Sequence, residues 1–367
     1  MHDIPLSRIE SLRALARGLP HPLNLCARWV GGRAYRLYGR TRLTLSQLPP
    51  VDVLPGRRAA RARSRARDRA LVSQVWAASP EERTAAGGLN WMQHPLVGRR
   101  LNILASGEPD ADPYIHLKAR LTYEGWSFPV PRALSLGCGH GALERGLIAI
   151  NMARRCDGID LSEGAIQEAR RLAAEAGVDA IQYTVGDLEE ADFPKGAFDM
   201  VFAHHSMHHI EELDGLCLAV RQALRPGGIF HLDEFVGPDR FQWTDTQLHH
   251  LNAFVQALPD RYRRFPTGEL MPVLVRPTIP QMLAFDPSEA VRSSAILETM
   301  RRHFRVVEVR ELGGALLHVG LSGIAQNFDA ENPEDVAHLE AFFALEDRLM
   351  AEGVIPSDFV TVTAVRD

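Results

Sequence analysis

Three glycines at alternate positions mark the part of the chain where residue types most clearly suggest chemistry. Gly137, Gly139 and Gly141 directly follow apolar residues and precede a helix-like pattern. Glycine permits both a sharp turn from a buried strand into a helix and a close approach of the backbone to a ligand, because it carries no Cβ. The spacing G-x-G-x-G departs from the G-x-G-x-x-G of a dinucleotide pyrophosphate loop. The run therefore predicts a ligand-binding loop in an α/β unit and disfavours a nicotinamide cofactor.

Two acidic residues follow at the ends of the next two predicted strands. Asp160 comes about 20 residues after the glycines, the distance at which a βαβ unit returns to the same edge of its sheet. A carboxylate there can accept hydrogen bonds from both hydroxyls of a ribose, and the alternative is that Asp160 caps a helix beginning at Ser162. Asp187 ends the third strand, where it can accept from an adenine amine while Leu188 contacts the ring. The alternative for Asp187 is an ordinary Gly-Asp surface turn.

A histidine-rich segment follows the fourth predicted strand, and two acids follow the fifth. The segment reads HHSMHH over residues 204–209. Ligands bind at the carboxyl edge of open α/β sheets, so both loops are expected to face a substrate. His205 is the preferred general base because an unperturbed histidine titrates near neutral pH. Asp233 and Glu234 are expected to face the acceptor, where a carboxylate can also help to remove a proton.

The histidines alone do not predict a metal ion. His204 and His208 stand four residues apart, as two ligands on one helix face do, but no HExxH motif accompanies them. The four cysteines are too far apart to form a paired metal motif: Cys26, Cys138, Cys156 and Cys217. We therefore expect no bound metal, and we expect buried thiols in a reducing cytoplasm.

The composition of the 367-residue chain, with 46% hydrophobic and 24% charged residues, is typical of a soluble globular protein. No apolar run reaches the length of a membrane span, and the N-terminus lacks the apolar core of a secretory signal. These features predict a cytoplasmic protein with no membrane partner.

Charge is unevenly distributed along the chain. The formal net charge is −5, but residues 1–70 carry +11 and the remainder carries −16. This asymmetry predicts that a basic arm docks on an acidic body, either within one chain or across a homodimer. Seven arginines fall within residues 57–69 without interleaved aromatic residues, so a nucleic-acid partner is not expected.

Taken together, the segments from about residue 130 to 235 resemble the successive motifs of the class I S-adenosylmethionine-dependent methyltransferases. The resemblance implies S-adenosylmethionine as cofactor and a Rossmann-like α/β fold with a doubly wound, mostly parallel seven-stranded sheet. It also implies that the glycines hold the methionine part of the cofactor. The other cofactor contacts that it implies lie at the ribose, the adenine and the sulfonium: Asp160 with Leu161, Asp187 with Leu188, and Ala203 with His204. Four histidines in the loop are more than this pattern requires.

The resemblance implies that the protein transfers a methyl group to a small-molecule acceptor. A hydroxyl of a sugar or of a natural-product intermediate is the favoured acceptor. One alternative is an enzyme that consumes the same cofactor by aminopropyl transfer or cyclisation. Another is a subunit that binds the cofactor without turnover. Formation of methylthioadenosine would identify the first alternative, and cofactor binding without any product would identify the second.

The pattern predicts two regions along the chain. Residues 1–125 read as a mostly helical region that acts as a lid or in oligomerisation, with Trp91, His94 and Tyr114 as residues that could cover the pocket or simply pack. Residues 126–367 read as the methyltransferase domain, with a helical insertion at about 238–304. A Pro-Gly-Gly turn is expected before the fifth strand. The resemblance implies a reversed pair of strands near the C-terminus.

Overall fold

The computed structural model describes residues 68–73, 75–77 and 88–367. Most of the expected N-terminal helical region before residue 88, including most of the arginine run, lies outside this part of the chain. No helix within the described residues is both long enough and apolar enough to cross a lipid bilayer.

A single seven-stranded sheet forms the centre of the molecule, with strand order β3-β2-β1-β4-β5-β7-β6. β1 to β5 pair in parallel, and β7 runs antiparallel to both β5 and β6. The strands are β1 (Ala133–Leu136), β2 (Cys156–Asp160), β3 (Ile181–Val185), β4 (Phe198–His204), β5 (Leu224–Phe235), β6 (Arg305–Gly313) and β7 (Phe359–Val365). The predicted fold class is confirmed, including the reversed pair of strands near the C-terminus.

Burial explains why the central strands read as continuous apolar runs. All four residues of β1 are buried, as are the first six of the seven residues of β4. Parallel strands that are covered by helices on both faces carry apolar side chains on both faces as well. The described helices are α1 (Pro95–Ser106), α2 (Pro113–Tyr123), α3 (Ala142–Ala149), α4 (Glu163–Glu175), α5 (Leu213–Ala223), α6 (Asp245–Ala257), α7 (Ile279–Phe285), α8 (Ile296–His303), α9 (Leu317–Gly320) and α10 (Pro333–Ala351).

Short 3-10 turns supplement the helices at Trp91–Gln93, Met207–His209, Asp239–Phe241, Ser293–Ala295 and Ala325–Asn327. α6 begins at a capping box, in which the Thr244 side chain accepts from the Gln247 backbone while the Gln247 side chain accepts from the Thr244 backbone. The predicted Pro-Gly-Gly turn instead lies inside β5. Pairing with β4 shifts there, between the Phe198–Leu224 and Met200–Ile229 pairs, so these residues form an irregularity of the strand.

The region before β1 packs against the C-terminal part of the chain. Trp91 is 3% exposed, and its ring lies against those of His318 and Phe359. His94 caps α1 through the backbone N–H of Leu96, and its Nε2 lies 2.9 Å from the carbonyl oxygen of Phe328. Trp91 and His94 are therefore packing residues, whereas Tyr114 lies near the histidine-rich loop.

Candidate active site

A cavity of about 570 Å³ lies at the carboxyl edge of β1, β2 and β4. The glycine loop after β1 forms one wall, and the ends of β2 and β3 form a second. The histidine-rich loop and the segment after α7 close the opposite end. This is the position where ligands bind in open α/β sheets, and the volume suits a cofactor or small molecule.

The glycine loop presents bare backbone to this cavity. Gly139 has φ +51° in the left-handed region, and a Cβ built on it would meet nothing within 4 Å. Gly137, by contrast, lies so close to Ser206 that a Cβ would collide with that side chain. A Cβ on Gly141 would collide with the ring of Tyr183. Two of the glycines therefore allow close packing, while Gly139 leaves space for a ligand.

Asp160 holds the glycine loop and also lines the cavity. Its Oδ2 accepts from the backbone N–H of Gly139 at 2.9 Å, and its Oδ1 accepts from that of Ser162 at 2.8 Å. Burial raises the pKa of Asp160, and the two backbone donors oppose that rise. The two interpretations made from sequence are thus compatible. The carboxylate fixes the start of α4, and each oxygen keeps a lone pair that can accept from a hydroxyl in the cavity.

Asp187 and Leu188 line the end of the cavity next to Asp160. The Oδ1 of Asp187 accepts from the backbone N–H of Glu189 at 2.8 Å. Its Oδ2 lies 2.6 Å from the Nε of Arg69, which also donates to Glu190. Any ligand amine at Asp187 must therefore share this carboxylate with Arg69.

Glu144 is a cavity residue that the sequence reasoning missed. It lies in the first turn of α3, it is fully buried, and it lines the cavity beside the glycine loop. Neither oxygen of its carboxylate makes a hydrogen bond of normal geometry within the described residues. Burial raises the pKa of Glu144 to about 7, although the hydroxyl of Ser135 opposes the rise. A buried carboxylate of this kind favours a cationic ligand.

The histidine-rich loop closes the other end of the cavity. His204 and His205 both line it, and the Nδ1 of His204 lies 3.0 Å from the hydroxyl of Tyr114. Asp233 lies behind them: its Oδ2 is 3.5 Å from the Nδ1 of His204, and its Oδ1 is 3.7 Å from the Nε2 of His205. Burial and the neighbouring His204 lower the pKa of His205 to about 4. His205 is therefore neutral at pH 7 and able to accept a proton.

Glu234 lies behind the histidine-rich loop and not in the cavity wall. Its fully buried carboxylate accepts from the backbone N–H groups of Ser206 at 2.8 Å and Met207 at 2.6 Å. It also accepts from its neighbour Phe235 at 2.7 Å, and it lies 2.5 Å from the Nδ1 of His208. Paired with His208, Glu234 has its pKa lowered to about 2 despite its burial. Glu234 is thus fixed as the anchor of the loop, without a free oxygen toward an acceptor.

Residues 68–73 and 75–77, here called the cover segment, lie across the cavity. Arg69, Val72 and Trp76 line it. The Nε1 of Trp76 donates to Asp286 at 3.0 Å, and the Oγ of Ser162 donates to the carbonyl of Ser73 at 3.1 Å. With the contact of Arg69 to Asp187, the cover segment is attached at both ends of the cavity.

Comparison with known proteins finds a family match within part of the chain. A family model described as a methyltransferase domain matches residues 134–232, which run from β1 into β5. Residues 134–232 are therefore similar to a methyltransferase domain, and this stretch is called the methyltransferase domain below. The resemblance to class I S-adenosylmethionine-dependent methyltransferases is confirmed, and S-adenosylmethionine is the cofactor of that family.

Relatives of the methyltransferase domain act on different acceptors. Sterol 24-C-methyltransferase of Gibberella zeae is 27% identical over 35% of this chain and 34% of its own length. The 27-O-demethylrifamycin SV methyltransferase of Amycolatopsis mediterranei is 34% identical over 29% of this chain and 39% of its own length. This chain therefore spans little more than a third of either relative. Among solved structures, geranyl diphosphate C-methyltransferase from Streptomyces coelicolor has 15% identity and a TM-score of 0.45, with 82% of this chain and 98% of that chain covered.

The methyltransferase domain brings most of the residues expected from sequence to one cavity. Those that line it are Gly137, Gly139, Asp160, Leu161, Asp187, Leu188, His204 and His205. Four others lie beside the cavity without lining it: Gly141, Ala203, Asp233 and Glu234. The position of Glu144, three residues after the last glycine, was the available signal for the residue that was missed.

Replacing Glu144 by glutamine is expected to weaken binding of S-adenosylhomocysteine by about 10- to 100-fold, because charged hydrogen bonds contribute about 1.5–3 kcal/mol. Without ligand, the free energy of unfolding of the variant should be equal to that of the parent or higher at pH 8. The folded-state pKa of Glu144 is raised, so its contribution to stability is present below pH 4.5 and lost as pH rises through about 7. The variant should lack this loss and be as stable as the parent, or more stable, at pH 8.

Calorimetric titration and urea denaturation at pH 5 and pH 8 check the two effects. Glu163→Gln is the matched control, since Glu163 lies in the first turn of the next helix, α4, and is exposed. Equal ligand affinity in Glu144→Gln and the parent would show that Glu144 does not face the ligand.

Proposed function

We propose that this chain transfers the methyl group of S-adenosylmethionine to a small-molecule acceptor in the cavity. The observation that carries the proposal is the pairing of Gly139, which leaves open space beside its backbone, with the buried carboxylate of Glu144. Together they fit the amino-acid end of this cofactor, whose ammonium group would pair with the Glu144 carboxylate. When bound, the cofactor supplies a methyl group that a sulfonium centre activates for in-line displacement.

Different residues of the chain hold different parts of the cofactor. Glu144 and the glycine loop bind the methionine part, Asp160 with Leu161 accepts the ribose hydroxyls, and Asp187 with Leu188 contacts the adenine. Alignment is the main catalytic contribution that such a site can make, because fixing two reactants converts an encounter into an intramolecular step.

The end of the cavity at the histidine-rich loop, here called the acceptor end, carries one candidate base. His205 is neutral at pH 7 and faces the cavity, so it can take the proton from a hydroxyl as the bond to carbon forms. The Oδ1 of Asp233 is buried and makes no hydrogen bond within the described residues, and it stands 3.7 Å from the Nε2 of His205. Its negative charge stabilises the imidazolium that results. This arrangement supports a hydroxyl acceptor.

Apolar side chains line the same end, which favours an acceptor with an apolar body around its reactive hydroxyl. They are Ile210, Leu283, Pro287 and Val291. A natural-product intermediate combines these properties, as the rifamycin-modifying relative illustrates for its own acceptor.

The test is an assay of the full chain with cofactor labelled in the methyl group and a panel of hydroxylated natural products. We expect S-adenosylhomocysteine together with label on an acceptor oxygen. His205→Gln should reduce kcat by about 100- to 10,000-fold with little change in KM, the range typical of a lost general base. Methylthioadenosine as the product would contradict methyl transfer, and label on carbon would contradict the hydroxyl acceptor.

We further propose that the cover segment acts as a lid that excludes water from the bound cofactor. Trp76→Ala removes the contact with Asp286 and is expected to increase the dissociation rate of S-adenosylhomocysteine several-fold, measured by stopped-flow fluorescence. Trp126→Ala is the matched control, because Trp126 stacks on Phe128 and does not line the cavity. Similar dissociation rates in both variants and the parent would contradict the lid.

A further inference from the structure

A second side-chain cluster adjoins the acceptor end of the cavity. It consists of His208 and His209, on the 3-10 turn after β4, and Glu289, on the segment between α7 and α8. Each offers one ligand atom, and these atoms lie within 4.8 Å of one another. From the sequence we expected no bound metal: the pair considered there was His204 with His208, and nothing in the local pattern brings Glu289 to this loop.

His208 has the surroundings of a metal-binding imidazole. Its Nδ1 lies 2.5 Å from the Oε1 of Glu234, so a buried carboxylate orients the ring by accepting a hydrogen bond from it. Histidines that bind metals commonly donate their other ring N–H to such a carboxylate. The Nε2 of His208 then faces the Oε1 of Glu289 at 3.5 Å. Two ligands of a tetrahedral ion with bonds of about 2.1 Å stand about 3.4 Å apart.

His209 is oriented in a similar way. The Oγ of Ser288 donates to the Oδ1 of Asp286 at 2.6 Å, which leaves the hydroxyl oxygen to accept from the Nδ1 of His209 at 2.9 Å. Nδ1 therefore carries the proton, and Nε2 keeps the lone pair that binds an ion. Both histidines thus have one ring nitrogen held by a carboxylate-backed partner and the other free to act as a ligand.

Charge also favours a cation at this point. The carboxylates of Glu234, Asp286 and Glu289 are all buried, at 0%, 0% and 3% exposure. The groups that face them are His208, His209 and Arg240, whose guanidinium donates to the carbonyls of Pro287 and Glu289. Buried carboxylates require compensating positive charge, which a bound divalent ion would supply.

Backbone hydrogen bonds hold the segment that carries Glu289 in a strained conformation. Ala290, the next residue, has φ +48°, which a residue with a Cβ rarely adopts. Its carbonyl accepts from the backbone of Arg240 at 2.6 Å, and Val291 donates to the carbonyl of His208 at 3.0 Å. Strain of this kind persists where the surroundings fix the conformation, often at functional sites. The segment carrying Glu289 is thus fastened directly to the histidine-rich loop.

We propose that His208, His209 and Glu289 bind one divalent transition-metal ion, with Glu234 as the residue that positions His208. Two imidazoles and one carboxylate suit zinc and its neighbours better than magnesium. Three protein ligands leave a coordination position open, as in catalytic zinc sites. The ion joins two walls of the cavity, the histidine-rich loop and the insertion, and His209 places it at the acceptor end.

The test is titration of the tag-free full chain, treated with a chelator and then dialysed, with Co²⁺ alone, followed by visible absorption. We expect one ion per chain. Glu289→Gln and His209→Gln should each weaken binding at least tenfold. The double variant His249→Ala/His250→Ala is the matched control. It removes an adjacent histidine pair on α6 that is not part of the cluster, and it should bind as the parent does.

Melting temperature and calorimetric titration with S-adenosylhomocysteine verify that each variant is folded. The proposal is overturned if the folded parent binds no Co²⁺ below about 100 μM, a concentration that corresponds to about −5.5 kcal/mol of binding free energy. It is also overturned if both Glu289→Gln and His209→Gln bind as tightly as the parent. The metal titration requires neither cofactor nor acceptor, so its failure is distinct from failure of the proposed methyl transfer.

Discussion

Asp160→Asn is expected to weaken binding of S-adenosylhomocysteine by about 100-fold, since two charge-assisted hydrogen bonds contribute about 1.5–3 kcal/mol each and part of each is lost. The carboxylate holds the backbone of Gly139 at one oxygen and that of Ser162 at the other. An asparagine side chain of the same shape has one acceptor oxygen and one NH₂ group. One of the two backbone N–H groups would then face a donor, and the glycine loop would lose its fixed position.

Calorimetric titration of the full chain measures this effect, and the same strand provides a control. Asp157→Asn changes an aspartate on β2 that pairs with Arg132 and does not line the cavity. It should bind S-adenosylhomocysteine within about twofold of the parent, as expected for a surface substitution remote from the site. If Asp160→Asn also bound within about threefold, a change of less than about 1 kcal/mol, Asp160 would not be part of the cofactor site.

Glu234→Gln is expected to lower the free energy of unfolding by about 3–5 kcal/mol, the cost of breaking a buried charged pair by removing one partner. The carboxylate accepts from the backbone of Ser206, Met207 and Phe235, and it pairs with His208. A glutamine amide oxygen cannot serve all four donors, and its NH₂ group would oppose one of them. The loop that carries His205 would lose its anchor.

Urea denaturation at pH 7 in the presence of a chelator measures this loss without a contribution from bound metal. The control is Glu212→Gln, an exposed glutamate just before α5 whose side chain makes no capping bond. It should change stability by no more than about 0.5 kcal/mol. A Glu234→Gln protein as stable as this control would show that the loop does not depend on Glu234.

The features of the fold that were predictable from sequence are those with local causes. An apolar run followed by Gly137 and Gly139 predicts a turn from a buried strand into a helix. The spacing after this turn places the two acids at the carboxyl ends of β2 and β3. The capping box at Thr244 likewise operates within four residues. The resemblance to a family then implied the sheet, including its reversed pair of strands.

The parts that were not predictable depend on tertiary contacts. Asp233 and Glu234 are neighbours on β5, so their side chains point to opposite faces. Sequence could not tell which of them faces the cavity side and which lies under the loop. The position of Glu144 just after the glycine loop was a weak signal, and its burial at the cavity depends on tertiary contacts that the sequence does not reveal.

Tertiary contacts also explain why the sequence did not reveal the cover segment or the cluster of His208, His209 and Glu289. The sequence left open whether Trp91 covers the pocket or packs, and it packs against Phe359. Trp76 covers the cavity because Asp286, 210 residues further along the chain, accepts its N–H. Contacts over such separations leave no local pattern in the sequence.

The most direct test of the account is a crystal structure of the full chain with S-adenosylhomocysteine. The account predicts density for the ligand in the cavity at the carboxyl edge of β1 and β2, with its amino group at Glu144 and its ribose hydroxyls at Asp160. Its sulfur should point toward His205. Ligand density elsewhere on the molecule, or a ribose remote from Asp160, would contradict the central claim that this cavity is the cofactor site.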